Sequence, residues 1–296
     1  MLVTSKENMD VEIRLVQSHE EYRAVEQIQR EVWGLEEVEV VPDHLLVTAQ
    51  KNGGLVLGAF DLSSGQKGGQ LVGFVFGLVG LSPDGKIKHC SHMTGVAPDY
   101  QNQNLGYHLK LAQREHVLMQ GLDLITWTFD PLESRNAYLN FRKLGVTCQT
   151  YLRDLYGSMR DTLNIALPSD RFQVDWHIAS THVADRLSGK CNFRRLSSLG
   201  AEGVPLLNHT LSGDPPRPEE VALPIQGTRL LIQIPAHFQT LKTADMELAR
   251  AWRLQTRALF EAAFAEGYVT TDLLFEDEQS YYLLEKNRTP DENRTR

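Results

Sequence analysis

Between residues 11 and 178 the hydrophobic pattern switches repeatedly between a period of two and a period near 3.6. The order of those switches limits what the chain can fold into. VEIRLV at 11–16 alternates as a strand does. Ser18 and Glu21 then form a Ser-x-x-Glu capping box, and Tyr22, Val25, Ile28, Gln29 and Val32 recur at helical spacing. An acidic turn (Glu36, Glu37, Glu39) and Pro42 stop that helix before a second, short one near 43–50. Two β-rich runs, 54–62 and 70–81, flank a glycine-rich hairpin loop, and 86–96 reads as a further strand. Residues 105–121 predict a strong helix with Leu105, Leu109, Ala112, His116, Leu118 and Met119 on one side. A strand at 124–130, a helix at 134–143 and strands at 146–156 and 171–178 complete the series. The order β-α-α-β-β-β-α-β-α-β predicts an α/β (α+β) layer protein with a mixed central sheet flanked by helices.

After a connector at 179–192 the pattern predicts a strand at 228–235 and one long helix at 240–266. Strands at 268–275 and 281–284 follow, and then a polar tail. At about 150 residues per domain, 296 residues accommodate two. The expected division is 1–180 and 190–296, the second being a smaller α/β domain without readable chemistry.

Composition narrows the partners. The formal charge of −8 gives no electrostatic footprint for general nucleic-acid binding. No stretch approaches 18 apolar residues, and the N-terminal residues have no apolar h-region, so neither a membrane span nor a signal peptide is expected, and a cytoplasmic location is. Cys90, Cys148 and Cys191 are far apart and odd in number, which suits reduced thiols. His89 with His92, and His177 with His182, lack a third ligand at sensible spacing, so no metal site is expected.

The chemistry concentrates at 89–109. A strand ends in Val96-Ala97-Pro98, a polar loop follows, and a helix opens at Leu105-Gly106. Such a junction presents backbone N–H groups and the positive end of a helix dipole to an anion. It needs residues that tolerate positive φ, and Asn102, Asn104 and Gly106 do. Period-2 alternation places Cys90, His92, Thr94 and Val96 on one face of the strand, with His89 and Met93 opposite.

Val96-Ala97-Pro98-Asp99-Tyr100 followed by Gln101-Asn102-Gln103-Asn104-Leu105-Gly106 resembles the Gcn5-related N-acetyltransferase superfamily. There a Val-x-Pro strand end leads into an Arg/Gln-x-x-Gly-x-Gly/Ala loop over the acetyl-CoA pyrophosphate. Gln101 and Gly106 match; Asn104 stands where the first glycine is usual. The element order through 11–156 is similar as well, whereas nothing beyond 180 resembles the family's motifs.

The resemblance implies acetyl-CoA, or another acyl-CoA, as cofactor. Backbone groups of Met93, Thr94, Gly95 and Val96 would pair with the pantetheine arm. The N–H groups of Gln101, Asn102, Gln103, Asn104, Leu105, Gly106 and Tyr107 would hold the pyrophosphate. Asn136 would lie on the pantetheine arm, its alternative being a helix cap. The implied reaction is direct attack of an amine, on a small molecule or a peptide, on the thioester. His92 is the first candidate for the base, with Asp130 and the acidic pair Glu37 and Glu39 as runners-up. The family's proton donor to the thiolate is a tyrosine where this chain has Phe141; Tyr138 is the nearest substitute. Because Phe141 cannot donate, a non-catalytic acyl-CoA sensor or scaffold stands as the alternative. The C-terminal domain is expected either to cap the acceptor site or to form a homodimer interface.

Overall fold

The computed structural model describes residues 2–4, 10–157, 167–208, 210–211, 217–218 and 225–286. Taken over these, the chain forms two compact units, one within Met1–Trp127 and the other within Thr128–Ser158 and Ala166–Arg296. The boundary therefore falls inside a strand near 127, not in the 180–190 connector. The reason is strand pairing: the strand at 147–152 bonds with the C-terminal strands, through Thr270 opposite Cys148. The polar tail from 287 onward lies outside the described residues.

In the first unit the order is β1 (Leu2–Thr4), β2 (Asp10–Leu15), α1 (His19–Trp33), α2 (Asp43–Lys51), β3 (Leu55–Asp61), β4 (Gln70–Leu81), β5 (Ile87–Val96), α3 (Leu105–Met119) and β6 (Leu124–Phe129). Strands β1 to β5 pair in sequence order, all antiparallel. β6 then joins β5 in parallel, so the sheet is mixed. The capping box closes as expected: Ser18 accepts from the Glu21 N–H, Glu21 reaches back to the Ser18 N–H, and Gly34 ends α1 in the left-handed conformation.

Alternation along the strands gives this sheet two apolar faces. Tyr22, Val25, Ile28, Leu46 and Ala49 of α1 and α2 cover Val56, Phe60, Phe74 and Phe76. Leu105 and Leu109 of α3 cover Leu57, Ala59, Val72 and Val75 on the other side. The inner face of α3 differs from the expected one, because Lys110, Gln113 and Val117 are buried while Met119 is 78% exposed.

The second unit begins with α4 (Ser134–Ala137), which runs into a π-helical stretch at Tyr138–Leu144 and ends on a left-handed Gly145. β7 (Thr147–Leu152), β8 (Arg171–His177), α5 (Thr181–Leu187) and α6 (Leu196–Ala201) follow. Next come β9 (Thr210–Leu211), β10 (Arg217–Pro218), β11 (Arg229–Ile234), α7 (Phe238–Ala244), α8 (Met246–Ala265), β12 (Tyr268–Glu276) and β13 (Gln279–Lys286). Pairing β8-β7-β12-β13-β11 is antiparallel throughout. The single helix expected at 240–266 is two, since Asp245 is extended and its carboxylate accepts from the Leu248 N–H, capping α8.

Candidate functional site

The parallel join between β5 and β6 is short. His89 pairs with Ile125 and Cys90 with Thr126, and among the described residues no further β5–β6 position pairs. Beyond Cys90 the two strands form a fork, and the β6-facing edge of Ser91–Val96 carries no strand. An open edge of this kind accepts an extended, amide-bearing guest by strand addition.

At the end of that edge the backbone turns into α3. Pro98–Tyr100 makes one 3-10 turn, and Asn102 (φ 67) and Asn104 (φ 60) are both left-handed, as anticipated for asparagine in place of glycine. The loop is anchored rather than loose. The Ala97 N–H donates to the Val72 carbonyl at 2.9 Å, the Tyr100 hydroxyl donates to Asp61 at 2.8 Å, and the Gln101 amide donates to the Val96 carbonyl at 3.1 Å. Asn104 begins α3 without placing its side chain on the first-turn N–H groups. A Cβ on Gly106 would meet nothing nearer than Val96 Cγ2 at 4.0 Å, so packing does not demand glycine there. The bare Cα instead keeps the approach to the N–H groups clear. No Lys or Arg lies between 93 and 107. These residues fit a phosphate-bearing cofactor held by backbone dipoles.

A β-bulge resets the alternation read from the sequence. Met93 pairs with Phe76 and Ser91 with Gly77, so His92 is the extra residue. Met93 and Gly95 consequently face α1 and α2, with Met93 against that core and a Cβ on Gly95 set to meet the Phe74 and Trp33 rings at 3.0 Å. Val96 packs toward α3, and Thr94 pairs with Val75 of that face. The expected face of Cys90, His92, Thr94 and Val96, opposite His89 and Met93, is thereby corrected in part: Thr94 and Val96 do lie opposite Met93, but His92 shares the Met93 side and His89 the α3 side. The His92 ring rests edge-on against Phe76 at 5.8 Å, on the α1–α2 side. Desolvation lowers its pKa, which leaves a neutral imidazole with an available lone pair near neutrality.

Beneath the fork lies a buried polar row that the sequence reading missed. Lys110 of α3, 3% exposed, donates to Ser91 Oγ at 2.8 Å and to Gln113 Oε1 at 3.0 Å, and its Nζ sits 3.7 Å from the Trp127 ring centroid. Burial pushes its pKa down to about 7. Gln113 Nε2 lies 3.0 Å from His89 Nε2. Because Gln113 Oε1 already accepts from Lys110, its amide donates to His89, which fixes the His89 proton on Nδ1. Burial, then the Lys110 charge, lowers the His89 pKa to about 4, so the ring is neutral. The signal was present: Lys110 and Gln113 interrupt an otherwise apolar stripe that runs through Leu105, Leu109 and Val117.

The remaining candidates belong to the second unit or to the surface. Asp130 accepts from Arg253 Nη2 and from the Leu132 N–H at 2.9 Å, so its carboxylate is already committed. Asn136 is exposed on α4 and is not its cap, which is Glu133. Tyr138 is 36% exposed. Phe141 is fully buried, with Phe129, Phe172 and Tyr282 rings 5.5–6.4 Å away. Glu37 pairs with Arg30 at 2.9 Å, and Glu39 accepts from the Glu36 N–H at 3.3 Å; both are exposed. Among the described residues no group of three His, Cys, Asp or Glu side chains is placed to hold a metal ion, and no helix is long and apolar enough to cross a membrane.

No protein-family model matches the chain, and no curated protein does. Solved structures do. The chain is similar to one in the NatC complex bound to Gag peptide and CoA, at 13% identity and a TM-score of 0.47, covering 57% of this chain and 99% of that one. It is similar to the ribosomal-protein-S18-alanine N-acetyltransferase of Escherichia coli, at 16% identity and 0.42, covering 57% and 94%. Arabidopsis thaliana NAA60 in complex with a bisubstrate analogue aligns at 14% identity and 0.45, covering 56% and 97%. In the first unit, the mixed sheet and the order of its helices and strands agree with the α/β layer arrangement expected from the sequence.

Proposed function

We propose that this chain is an acyl-CoA-dependent N-acyltransferase, acetyl-CoA being the first donor to test, that acylates an amine on a small molecule or a peptide. One observation carries the reading: the open edge of β5 leads directly into a left-handed asparagine loop and the N-terminus of a 15-residue helix. Pantetheine amides would pair along Met93–Val96, and the N–H groups from Gln101 to Tyr107 would hold the pyrophosphate. The acyl-CoA supplies the activated carbonyl. His92, neutral and on the opposite sheet face from α3, would take the amine proton directly or through a water. Asp130 is the less available candidate because its carboxylate is already ion-paired with Arg253. Asn136 on the arm and Tyr138 as thiolate donor are what the resemblance implies; both lie in the second unit, and this reading does not rest on them.

Calorimetric titration with acetyl-CoA and CoA, beside thiol release over a panel of amines and N-terminal peptides, tests this. Binding with turnover on at least one amine is expected. His92→Ala should lower turnover about a hundredfold or more, roughly the range for a general base, while leaving CoA affinity within about twofold. Equal loss of both would make His92 structural. The buried Phe141 favours a second reading, an acyl-CoA sensor, which tight binding without turnover on any amine would support. Absence of CoA binding would sink both.

A further inference from the structure

The departing thiolate of the proposed reaction needs a proton, and Phe141 cannot give one. Where the sulfur would lie follows from the site itself, given the acyl-CoA reading on which this inference rests. If the pyrophosphate occupies 101–106 and the arm runs back along β5 from Val96 to Met93, the arm ends at the fork, beside Ser91 and His92. At about 3.3 Å per residue that run covers roughly 13 Å, comparable to an extended pantetheine.

Two side chains meet there from opposite faces. The bulge at His92 sends its ring to the α1–α2 side, while Ser91, one residue earlier, points to the α3 side. Ser91 is 4% exposed, and its Oγ accepts a hydrogen bond from Lys110 Nζ. An oxygen that accepts from an ammonium keeps its own hydrogen to donate. Lys110 is held by Gln113, Gln113 is oriented by His89, and the His89 ring is seated over Gly77, where a Cβ would come within 2.2 Å of Nε2.

We infer that Ser91, backed by Lys110, is the proton donor to the CoA sulfur. The acceptor nitrogen forms its bond to the carbonyl carbon as His92 takes the nitrogen's proton. The carbon–sulfur bond then breaks, its electron pair stays on sulfur, and sulfur takes the Ser91 hydroxyl proton. Ser91 recovers a proton from Lys110, and His92 and Lys110 regain their starting states by exchange with solvent, so no proton is gained or lost overall. Ser91 acts directly; Lys110 is a positioning residue that acts through it. The charged and titratable groups around this point are Lys110 and His116 from α3 and His89, Cys90 and His92 from β5, with the Trp127 ring from β6.

The test reads the thiol rather than turnover. Full-length protein is saturated with CoA, and the thiolate absorbance is followed through a pH titration, with desulfo-CoA-loaded protein as the blank to remove protein thiols and phenols. In the wild type the bound thiol should ionise at least about one pH unit lower than in free CoA, the scale of a hydrogen bond to the charged form, here from the Ser91 hydroxyl that Lys110 positions. Ser91→Ala and Lys110→Met should each abolish most of that shift while calorimetric CoA affinity stays within about twofold. Ser91→Ala removes one small buried hydroxyl, so it carries the test if Lys110→Met does not fold. A wild-type thiol that titrates as in free CoA, or a shift that survives both variants, overturns the donor assignment and leaves the acyl-CoA reading standing. No CoA binding to the wild type overturns that reading and the assignment with it.

Discussion

Lys110 and His89 are almost fully buried, and that makes the protein's stability depend on pH in two windows. Unfolded, Lys110 titrates near the ordinary lysine value of 10.5; folded, near 7. Between those values the unfolded chain binds a proton that the native state lacks, so stability falls as pH drops from 10.5 to 7. The same sign holds for His89 between the ordinary histidine value of 6.5 and about 4. Urea midpoints measured across pH 4 to 6.5 should therefore fall with acidity, and His89→Gln should flatten that slope; an unchanged slope would contradict the buried neutral imidazole. Phe141→Tyr offers a second residue-scale test. Its hydroxyl would enter an aromatic cluster, costing about 1–3 kcal/mol in thermal or urea unfolding without raising turnover. A gain in thiol release would show that position 141 reaches the reacting sulfur after all.

Individual elements explain what the pattern of residues could and could not reveal. α1 was legible because a capping box and a 3.6-residue stripe agree locally. The loop before α3 was legible because a left-handed backbone is needed and asparagine tolerates it. Asn104→Gly should accordingly leave both melting temperature and CoA affinity near wild type, while Asn104→Ala should cost about 1–2 kcal/mol and weaken CoA binding; differential scanning calorimetry and CoA titration check the pair. The bulge at His92 was not legible, since nothing in IKHCSHMTGV marks one extra residue when the register is set by the facing strand β4. The break between α7 and α8 was missed because the apolar stripe continues across it, although Asp245 is a favoured cap. The polar row under the fork was visible only as an interruption of the α3 stripe, and its partners on β5 lie 19 and 24 residues away.

For the molecule as a whole, pairing across long sequence distances decides organisation. The boundary near 127 follows from β7 joining β12, a contact between residues 148 and 270 that no local period encodes. The net charge of −8 was informative in the opposite sense, because the proposed anion site contains no Lys or Arg and relies on backbone N–H groups. CoA affinity should then change by less than about twofold between roughly 50 and 300 mM salt, since few side-chain charges are there to screen. A steep loss with salt would place CoA on a basic surface elsewhere. The most direct test of the central claim is a crystal structure of the full chain with CoA. The account predicts pyrophosphate oxygens within hydrogen-bond distance of N–H groups from 101 to 107, amides paired along Met93–Val96, and the sulfur at the fork beside Ser91. CoA bound anywhere else, or an empty β5 edge at saturating CoA, would contradict it.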